Sequence, residues 1–390
     1  MSARTYLDYN ATAPARAEVR AAMADALELH GNPSSVHAEG RCVRALVERA
    51  RDKVAALVGA EPKNIIFNSG GTEANVTALS PLNVSRDVPG DVVCFMSQIE
   101  HPSILASGRF APDAIRLIGA TGDGIIDVAA LEQAIDAHCS EAGVPPFMVS
   151  IMRANNETGA LQPVKTISAI VREKGGILHC DGAQATGKIP LDIKELGAHM
   201  MSLSAHKIGG PHGIGALVLG EGMASLPSPL IVGGGQELRA RSGTENVAGI
   251  VGFGAAAECA ARGLEGMTKL AALRDRLEAE ILARAPSAVI FSKNVERLPN
   301  TANFSVPEMK AETLVIALDL AGVAVSAGAS CSSGKVEQSH VLVAMGAPED
   351  AARGAIRVSL GWDTSEQDID RFIAAWADIY EQFEKQRAAA

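Results

Sequence analysis

In Ser204-Ala205-His206-Lys207-Ile208-Gly209-Gly210-Pro211, a lysine stands between a histidine and a rigid glycine-rich turn, directly after the apolar residues Met200, Met201 and Leu203. A single lysine normally reads as a solvated surface charge. At the end of a buried strand, desolvation would lower its pKa and make the amine a nucleophile toward an aldehyde. A second stretch, Asn68-Ser69-Gly70-Gly71-Thr72-Glu73-Ala74-Asn75, ends a strand pattern, turns on two glycines and opens a helix at Thr72. Free N–H groups at a helix start plus a hydroxyl suit an anion such as a phosphate, although an ordinary strand-to-helix turn has the same look. A third, His179-Cys180-Asp181-Gly182-Ala183-Gln184, sets an acid at the end of an apolar strand. Such an aspartate is either a turn or cap residue or a carboxylate aimed at a cationic partner, because a buried charge needs one.

Taken together, these stretches supply a phosphate site, a partner for a protonated ring nitrogen and an amine. Those are complements of the phosphate, pyridine and aldehyde of pyridoxal 5'-phosphate. His101, in Ile99-Glu100-His101-Pro102, follows a strand pattern and falls at the same edge, where it could stack on a ring and move protons. Cys331 sits in Ser326-Ala327-Gly328-Ala329-Ser330-Cys331-Ser332-Ser333-Gly334-Lys335, among small residues that cannot bury a thiol in apolar packing. With a lysine nearby it reads as an accessible nucleophile, or as an exposed bystander.

The elements that must position these groups alternate. Strand-like runs begin at Asn64, Asp91, Phe147, Gly176, Met200 and Gly215, and helical patterns fall near Thr72–Leu79, Val128–Ala137 and Val164–Glu173. Such alternation predicts an α/β fold with a largely parallel sheet and ligands at the strand carboxyl ends. Before it, one helix is expected from Pro14 to about Leu29, and another to about Val58 with Ser34 or Ser35 as its cap. An Ala-rich helical stretch from Val247 to about Ala285 leads into a second, smaller α+β region. Gly252-Phe253-Gly254 has the spacing of a dinucleotide fingerprint but no strand ahead of it, so that reading fails. His206 and His212 lack a third ligand at sensible spacing, so no metal is expected.

Composition sets the outer bounds. The 390 residues are 47% apolar but only 4% aromatic, so the core must come from Ala, Val, Leu and Ile. A net charge of −10 argues against nucleic acid as a partner. The opening MSARTYLDYN lacks a signal-peptide core, and no apolar run of membrane-spanning length is expected, so the reading is a cytoplasmic protein. Six cysteines without a CxxC pair exclude a zinc or disulfide framework; Cys42, Cys94, Cys180 and Cys259 are expected to be small buried hydrophobes.

Tyr6–Pro14, Gly31–His37, Ser69–Asn75, Glu100–Ser103, Ala154–Gly159, Asp181–Lys188, Ser204–Leu217, Gly233–Glu237, Arg241–Asn246, Ser326–Gly334 and Ile356–Gly361 carry motifs that, in this order, resemble the cysteine desulfurases. These form part of the class V aminotransferases, of pyridoxal-phosphate fold type I. The resemblance implies a large domain over 15–260 with a mainly parallel seven-stranded sheet, and a smaller α+β domain from 1–14 and 261–390. It implies that Lys207 carries the cofactor as a Schiff base, that Asp181 pairs with the pyridinium nitrogen and that Gln184 reaches the phenolic oxygen. Gly71, Thr72, Ser204 and His206 would hold the phosphate, joined by Thr244 from the other subunit of a homodimer. His101 would stack on the ring, Asn156 and Arg357 would bind near the cofactor and the substrate carboxylate, and Cys331 would accept sulfur from L-cysteine. The onward acceptor would be an iron–sulfur scaffold or carrier protein. Here Ser-Ala-Gly-Ala-Ser-Cys stands where the family often has Ser-Ser-Gly-Ser-Ala-Cys, a small-for-small change that keeps the nucleophile. A selenocysteine lyase, or another class V aminotransferase, is the alternative; a transaminase has no need of Cys331. A non-catalytic relative would have no reason to keep Lys207, Asp181, His101 and Cys331 together.

Overall fold

The computed structural model describes residues 4–140, 146–328 and 338–389. A short first strand, β1 (Thr5–Tyr6), precedes seven that form one sheet: β2 (Ile65–Asn68), β3 (Val93–Ser97), β4 (Ile115–Ile118), β5 (Phe147–Met152), β6 (Ile177–Asp181), β7 (Met200–Ser204) and β8 (Gly215–Leu219). Their order is β2-β8-β7-β6-β5-β3-β4. From β4 through β7 all neighbours run parallel, whereas β8 lies antiparallel between β7 and β2. Every residue of β2, β5, β7 and β8 is buried, as expected of unbroken apolar runs covered on both faces. The seventh strand, β4, escapes sequence reading. Its IRLI is four residues long, lies at the sheet edge and leaves Arg116 and Leu117 exposed, so it carries neither a long apolar run nor clean alternation.

Helices pack against this sheet through regular apolar stripes. Val164–Glu173 buries Val164, Ile167, Ser168 and Val171, an i, i+3, i+4, i+7 stripe over the range the sequence predicts. Val128–Cys139 runs two residues past its expected end and is capped by Asp127, whose carboxylate accepts from the Ala130 N–H. The helix Ala38–Leu57 starts later than expected. Ser34 donates its N–H to Asn32 Oδ1 in a tight turn, and the cap is the His37 ring, which accepts from Gly40 N–H. Cys42 lies off this helix's buried stripe and is exposed, contrary to the expectation, whereas Cys94, Cys180 and Cys259 are buried.

The Ala-rich stretch forms two helices, Val247–Gly263 and Met267–Arg284, separated by a tight turn at Leu264–Gly266. By length and composition this stretch contains a window apolar enough to cross a membrane, contrary to the expectation. Half of that window is packed inside the protein. The glycines of the discarded fingerprint have a packing purpose. A Cβ on Gly252 would lie 2.8 Å from the Met23 side chain, and one on Gly254 would lie 2.6 Å from the Ala50 Cα. They let this helix close onto Ala17–Leu27 and Ala38–Leu57.

A second sheet follows. The strands β9 (Val289–Ile290), β10 (Thr301–Ser305), β12 (Ser326–Ala327) and β13 (Ile356–Ser359) form an antiparallel sheet in the order β12-β13-β10-β9, while β11 (Val323–Ala324) takes β1 as a parallel neighbour. One apolar cluster gathers Leu7, Leu277, Phe304, Val358, Phe372 and Trp376. The amino-terminal segment thus packs with carboxy-terminal residues, then runs on to the end of the large sheet.

Gly254→Ala tests the helix contact. Helix propensity alone would favour Ala by about 1 kcal/mol, but a methyl group driven into the Ala50 backbone costs about 1–3 kcal/mol in strain. The variant is expected to melt at a lower temperature than the wild type; an unchanged or higher Tm would contradict the close packing.

Candidate active site

The carboxyl ends of β2, β6 and β7 open into one cavity of about 480 Å³, completed by the segments after β3 and β5 and by Asn10 and Ala11. Its walls include Gly71, Thr72, His101, Asn156, Asp181, Gln184, Ser204, His206, Lys207 and Arg357, which the sequence places far apart. Thr244 is exposed and does not line it. Cys331 lies outside the described residues.

At one end, β2 gives way to the helix Gly71–Ala78. Gly70 caps this helix with φ of 151°, and no side chain accepts from its first turn. The first N–H groups of a helix have no intrahelical partner, so those of Gly71 and Thr72 remain available to an anion. Ser204 brings its side chain to this turn, since a Cβ on Gly71 would sit 3.4 Å from the Ser204 Cβ. The His206 ring stacks on His212 at 5.4 Å and hydrogen-bonds Thr12 through Nδ1 at 3.2 Å. Burial, helped by Lys207, pushes its pKa down to about 4. His206 is therefore a neutral polar group at neutral pH rather than a cation. Glu73, one residue on, accepts from Ser69 N–H at 2.9 Å and pairs with Arg241 at 3.0 Å, tying this turn to the strand of chain that leads to Thr244.

Deeper in the cavity, the end of β6 presents Asp181. Its Oδ1 accepts from Ala183 N–H and its Oδ2 from Asn75 Nδ2, both at 2.9 Å. Asn75 also donates to Ser103 Oγ at 2.9 Å, which links Asp181 to the turn bearing His101. Two positions below Asp181 on β6, the buried His179 ring bridges the hydroxyls of Ser150 and Ser202 at 2.9 and 2.8 Å. Burial holds its pKa near 4, so it supports the strand end as an uncharged ring.

Among the described residues, Lys207 makes no hydrogen bond or ion pair with a carboxylate. Its Nζ donates to the main-chain carbonyls of Asn10 at 2.6 Å and Ala11 at 3.0 Å. Burial, with Arg357 adding repulsion, pushes its pKa down to about 8. Gln184 Nε2 donates to the same Asn10 carbonyl at 2.9 Å. Asn10 is completely buried and was missed by the sequence reading, although it lies within a recognised motif. Its signal is the turn Asp8–Thr12 that closes on it, visible only once β1 has been placed.

His101 caps the short helix Pro102–Leu105, accepting from Ser103 N–H at Nδ1. That contact leaves the proton of the neutral ring on Nε2, and burial lowers the ring's pKa from its usual value. Beside it, Glu100 is fully buried and accepts from Met152 N–H at 3.0 Å. Burial, and the nearby charge of Asp181, raise its pKa well above the usual carboxyl range. On the opposite wall Arg357 donates to Asp8 Oδ1 and to the Asn156 carbonyl, both at 2.9 Å.

Several buried polar atoms lack partners among the described residues, including Asn75 Oδ1, Asn156 Oδ1 and Arg357 Nε. Asn75, Asn156 and Arg357 all line the cavity. Buried groups are normally satisfied, so these walls suit a polar occupant. An uncapped helix start, a buried acid and an amine of lowered pKa fit the phosphate, ring nitrogen and aldehyde of pyridoxal phosphate.

Residues 5–372 match the family described as aminotransferase class-V. A protein of Cereibacter sphaeroides named cysteine desulfurase is 41% identical over 385 residues, covering 97% of this chain and 96% of that protein. The structure of a NifS-like protein from Rickettsia africae superposes with a TM-score of 0.87 at 35% identity, over 97% of this chain and 100% of that one. A structure of SspA in complex with cysteine gives a TM-score of 0.75 at 28% identity, over 91% of this chain and 98% of that one. With a match that spans nearly its whole length, the chain belongs to the aminotransferase class-V family.

Proposed function

We propose that this protein is a cysteine desulfurase that uses pyridoxal 5'-phosphate to take sulfur from L-cysteine, releasing L-alanine and holding the sulfur on Cys331 as a persulfide. The observation that carries the reading is the convergence, in one cavity, of the Lys207 amine, the Asp181 carboxylate and an uncapped helix start. The named cysteine desulfurase at 41% identity supports it, as does the cysteine complex of the related SspA structure.

Gly71, Thr72, Ser204 and His206 would hold the phosphate, Asp181 the ring nitrogen and Gln184 the phenolic oxygen. Bound pyridoxal phosphate supplies an electron sink for the Cα of an amino acid. Lys207 would provide the amine that anchors the cofactor and, once released, a base. His101, neutral and protonated on Nε2, stands across the same cavity to stack and to carry a proton. Arg357 lines the cavity, fixed through Nη1 to the Asn156 carbonyl and through Nη2 to Asp8, with Nε unpartnered among the described residues; its guanidinium would receive the substrate carboxylate. The thiolate of Cys331 would attack the substrate sulfur. The sulfur–sulfur bond forms as the carbon–sulfur bond breaks, and the carbon keeps the electron pair and takes a proton to become the alanine methyl group.

Further parts of this reading are a cytoplasmic homodimer and transfer of the persulfide sulfur to an acceptor protein for iron–sulfur cluster assembly. Support for the dimer is the exposure of Thr244, away from its own cavity, and of large apolar side chains such as Val36 and Leu238, 84% and 81% exposed.

Two outcomes are expected. Purified protein given L-cysteine and a reductant should release alanine, while Cys331→Ala should bind the cofactor and release none. Equal release by both proteins, or amino-group transfer to a keto acid without Cys331, would return the reading to a lyase or transaminase. The second follows from the Lys207 amine, whose pKa near 8 leaves the neutral nucleophile dominant above that pH and the inert ammonium dominant below it. The rate at which protein stripped of cofactor captures pyridoxal phosphate should rise with pH and level off above about 8. A rise that continues toward the ordinary lysine value of 10.5 would contradict the lowered pKa.

A further inference from the structure

Lys188 is a second buried lysine, behind the cavity wall, and although it closes the Asp181–Lys188 motif neither the resemblance nor the mechanism gives it a role. It is 7% exposed. Its Nζ lies 2.8 Å from Asn10 Oδ1 and 2.6 Å from Gln184 Oε1. Neither partner is a carboxylate, and burial, followed by repulsion from Lys207 and Arg357, lowers its pKa well below the usual value. A buried amine without a counter-charge is costly, and a methionine would fill similar space. The placement needs a reason, and the donor–acceptor chain around it gives one.

Thr301 Oγ1 donates to Asn300 Oδ1 at 3.0 Å, so it accepts from Asn10 Nδ2 at 2.9 Å. That fixes the Asn10 amide with Oδ1 toward Lys188, where Asn300 Nδ2 also reaches it at 3.2 Å. Lys188 then donates both to Asn10 Oδ1 and to Gln184 Oε1. A glutamine amide can exchange its oxygen and nitrogen by a half-turn. With Oε1 claimed by Lys188, Nε2 must face the Asn10 carbonyl and the cavity, and it does, donating to Asn10 at 2.9 Å. The same carbonyl receives Lys207.

We propose that Lys188 is a positioning residue: it locks the Gln184 amide with its donor nitrogen toward the cofactor's phenolic oxygen, and through Asn10 it steadies the carbonyl that holds Lys207. The proposal rests on the reading of the cavity as a pyridoxal-phosphate site. Without Lys188 only the Asn10 carbonyl, already shared with Lys207, holds the Gln184 amide in this orientation, and each flip would present an oxygen to an oxygen.

A double-mutant cycle tests it, with the dissociation constant of pyridoxal phosphate and the visible absorbance of the bound cofactor as readouts. Wild type, Lys188→Met, Gln184→Met and the double variant are compared. Lys188→Met is expected to weaken binding roughly tenfold, the scale of one lost buried hydrogen bond. Its absorbance band should shift in the same direction as that of Gln184→Met. In the Gln184→Met background, Lys188→Met should weaken binding little further, because contacts in one network are not additive. Lys188→Gln, which keeps an N–H donor, should recover part of the loss, and it carries the cycle if the methionine variant does not fold. Equal losses in both backgrounds, or no loss at all, would overturn the role of Lys188 while leaving the cofactor site intact. A wild-type protein that takes up no pyridoxal phosphate would overturn both.

Discussion

The arrangement of the site depends on Asn10. Its carbonyl accepts from Lys207 and Gln184, its side-chain oxygen from Lys188 and Asn300, and its side-chain nitrogen donates to Thr301 and to the Asn156 carbonyl. One fully buried residue thus joins the amine to the large sheet's last crossovers and to β10 of the small sheet. Its own N–H is taken by Ser359 on β13. Because β1 pairs with β11 and Leu7 packs in the carboxy-terminal cluster, Asn10 is held from outside the sheet whose edge it completes. A lysine whose partners among the described residues are main-chain carbonyls needs such a clamp, since an ammonium or amine on four methylene groups loses much side-chain entropy when fixed.

The electrostatics follow from that placement. Burial weakens the charged forms of Lys188 and Lys207, and Arg357 repels the charge of both while Lys207 repels that of Lys188. Asp8 pairs with Arg357 and also accepts from Ser326 Oγ at 2.9 Å, so the guanidinium is fixed by the strand that leads toward the segment bearing Cys331. The other end of that segment is tied as well. Ser339 Oγ donates to Glu157 at 2.5 Å, and burial pushes the Glu157 pKa up to about 7. Acids and bases at this end of the sheet are therefore set by desolvation first and by pairing second, the condition under which ordinary side chains acquire usable pKa values near neutrality.

Much of this was legible in the sequence. The three strand ends that carry Asp181, Lys207 and the turn at Gly71 could be read because apolar runs stop at polar residues with Gly nearby, and the structure brings all three to one cavity. Asn75, Lys188 and Asn10 could not be assigned roles in this way. Each works through hydrogen bonds to residues distant in the chain, and an asparagine or lysine at such a position looks like any turn or surface residue. The antiparallel course of β8 was equally hidden: GALVL reads the same in either direction, and only the short Gly-Gly-Pro connection from β7 forbids a crossover long enough for a parallel return. Gly215 then lets β8 pass the turn at Gly70–Gly71, since a Cβ there would lie 2.7 Å from the Gly70 backbone.

The central claim is that one buried amine, Lys207, anchors the cofactor while its neighbour Lys188 serves as scaffold. Both have lowered pKa values and both contact Asn10, but Lys207 lines the cavity and Lys188 is buried behind it. Borohydride reduction of the cofactor-loaded protein, followed by peptide mapping, separates them directly. The account predicts a single pyridoxyl-modified peptide carrying Lys207. Label on Lys188, or on no lysine of this cavity, would contradict it.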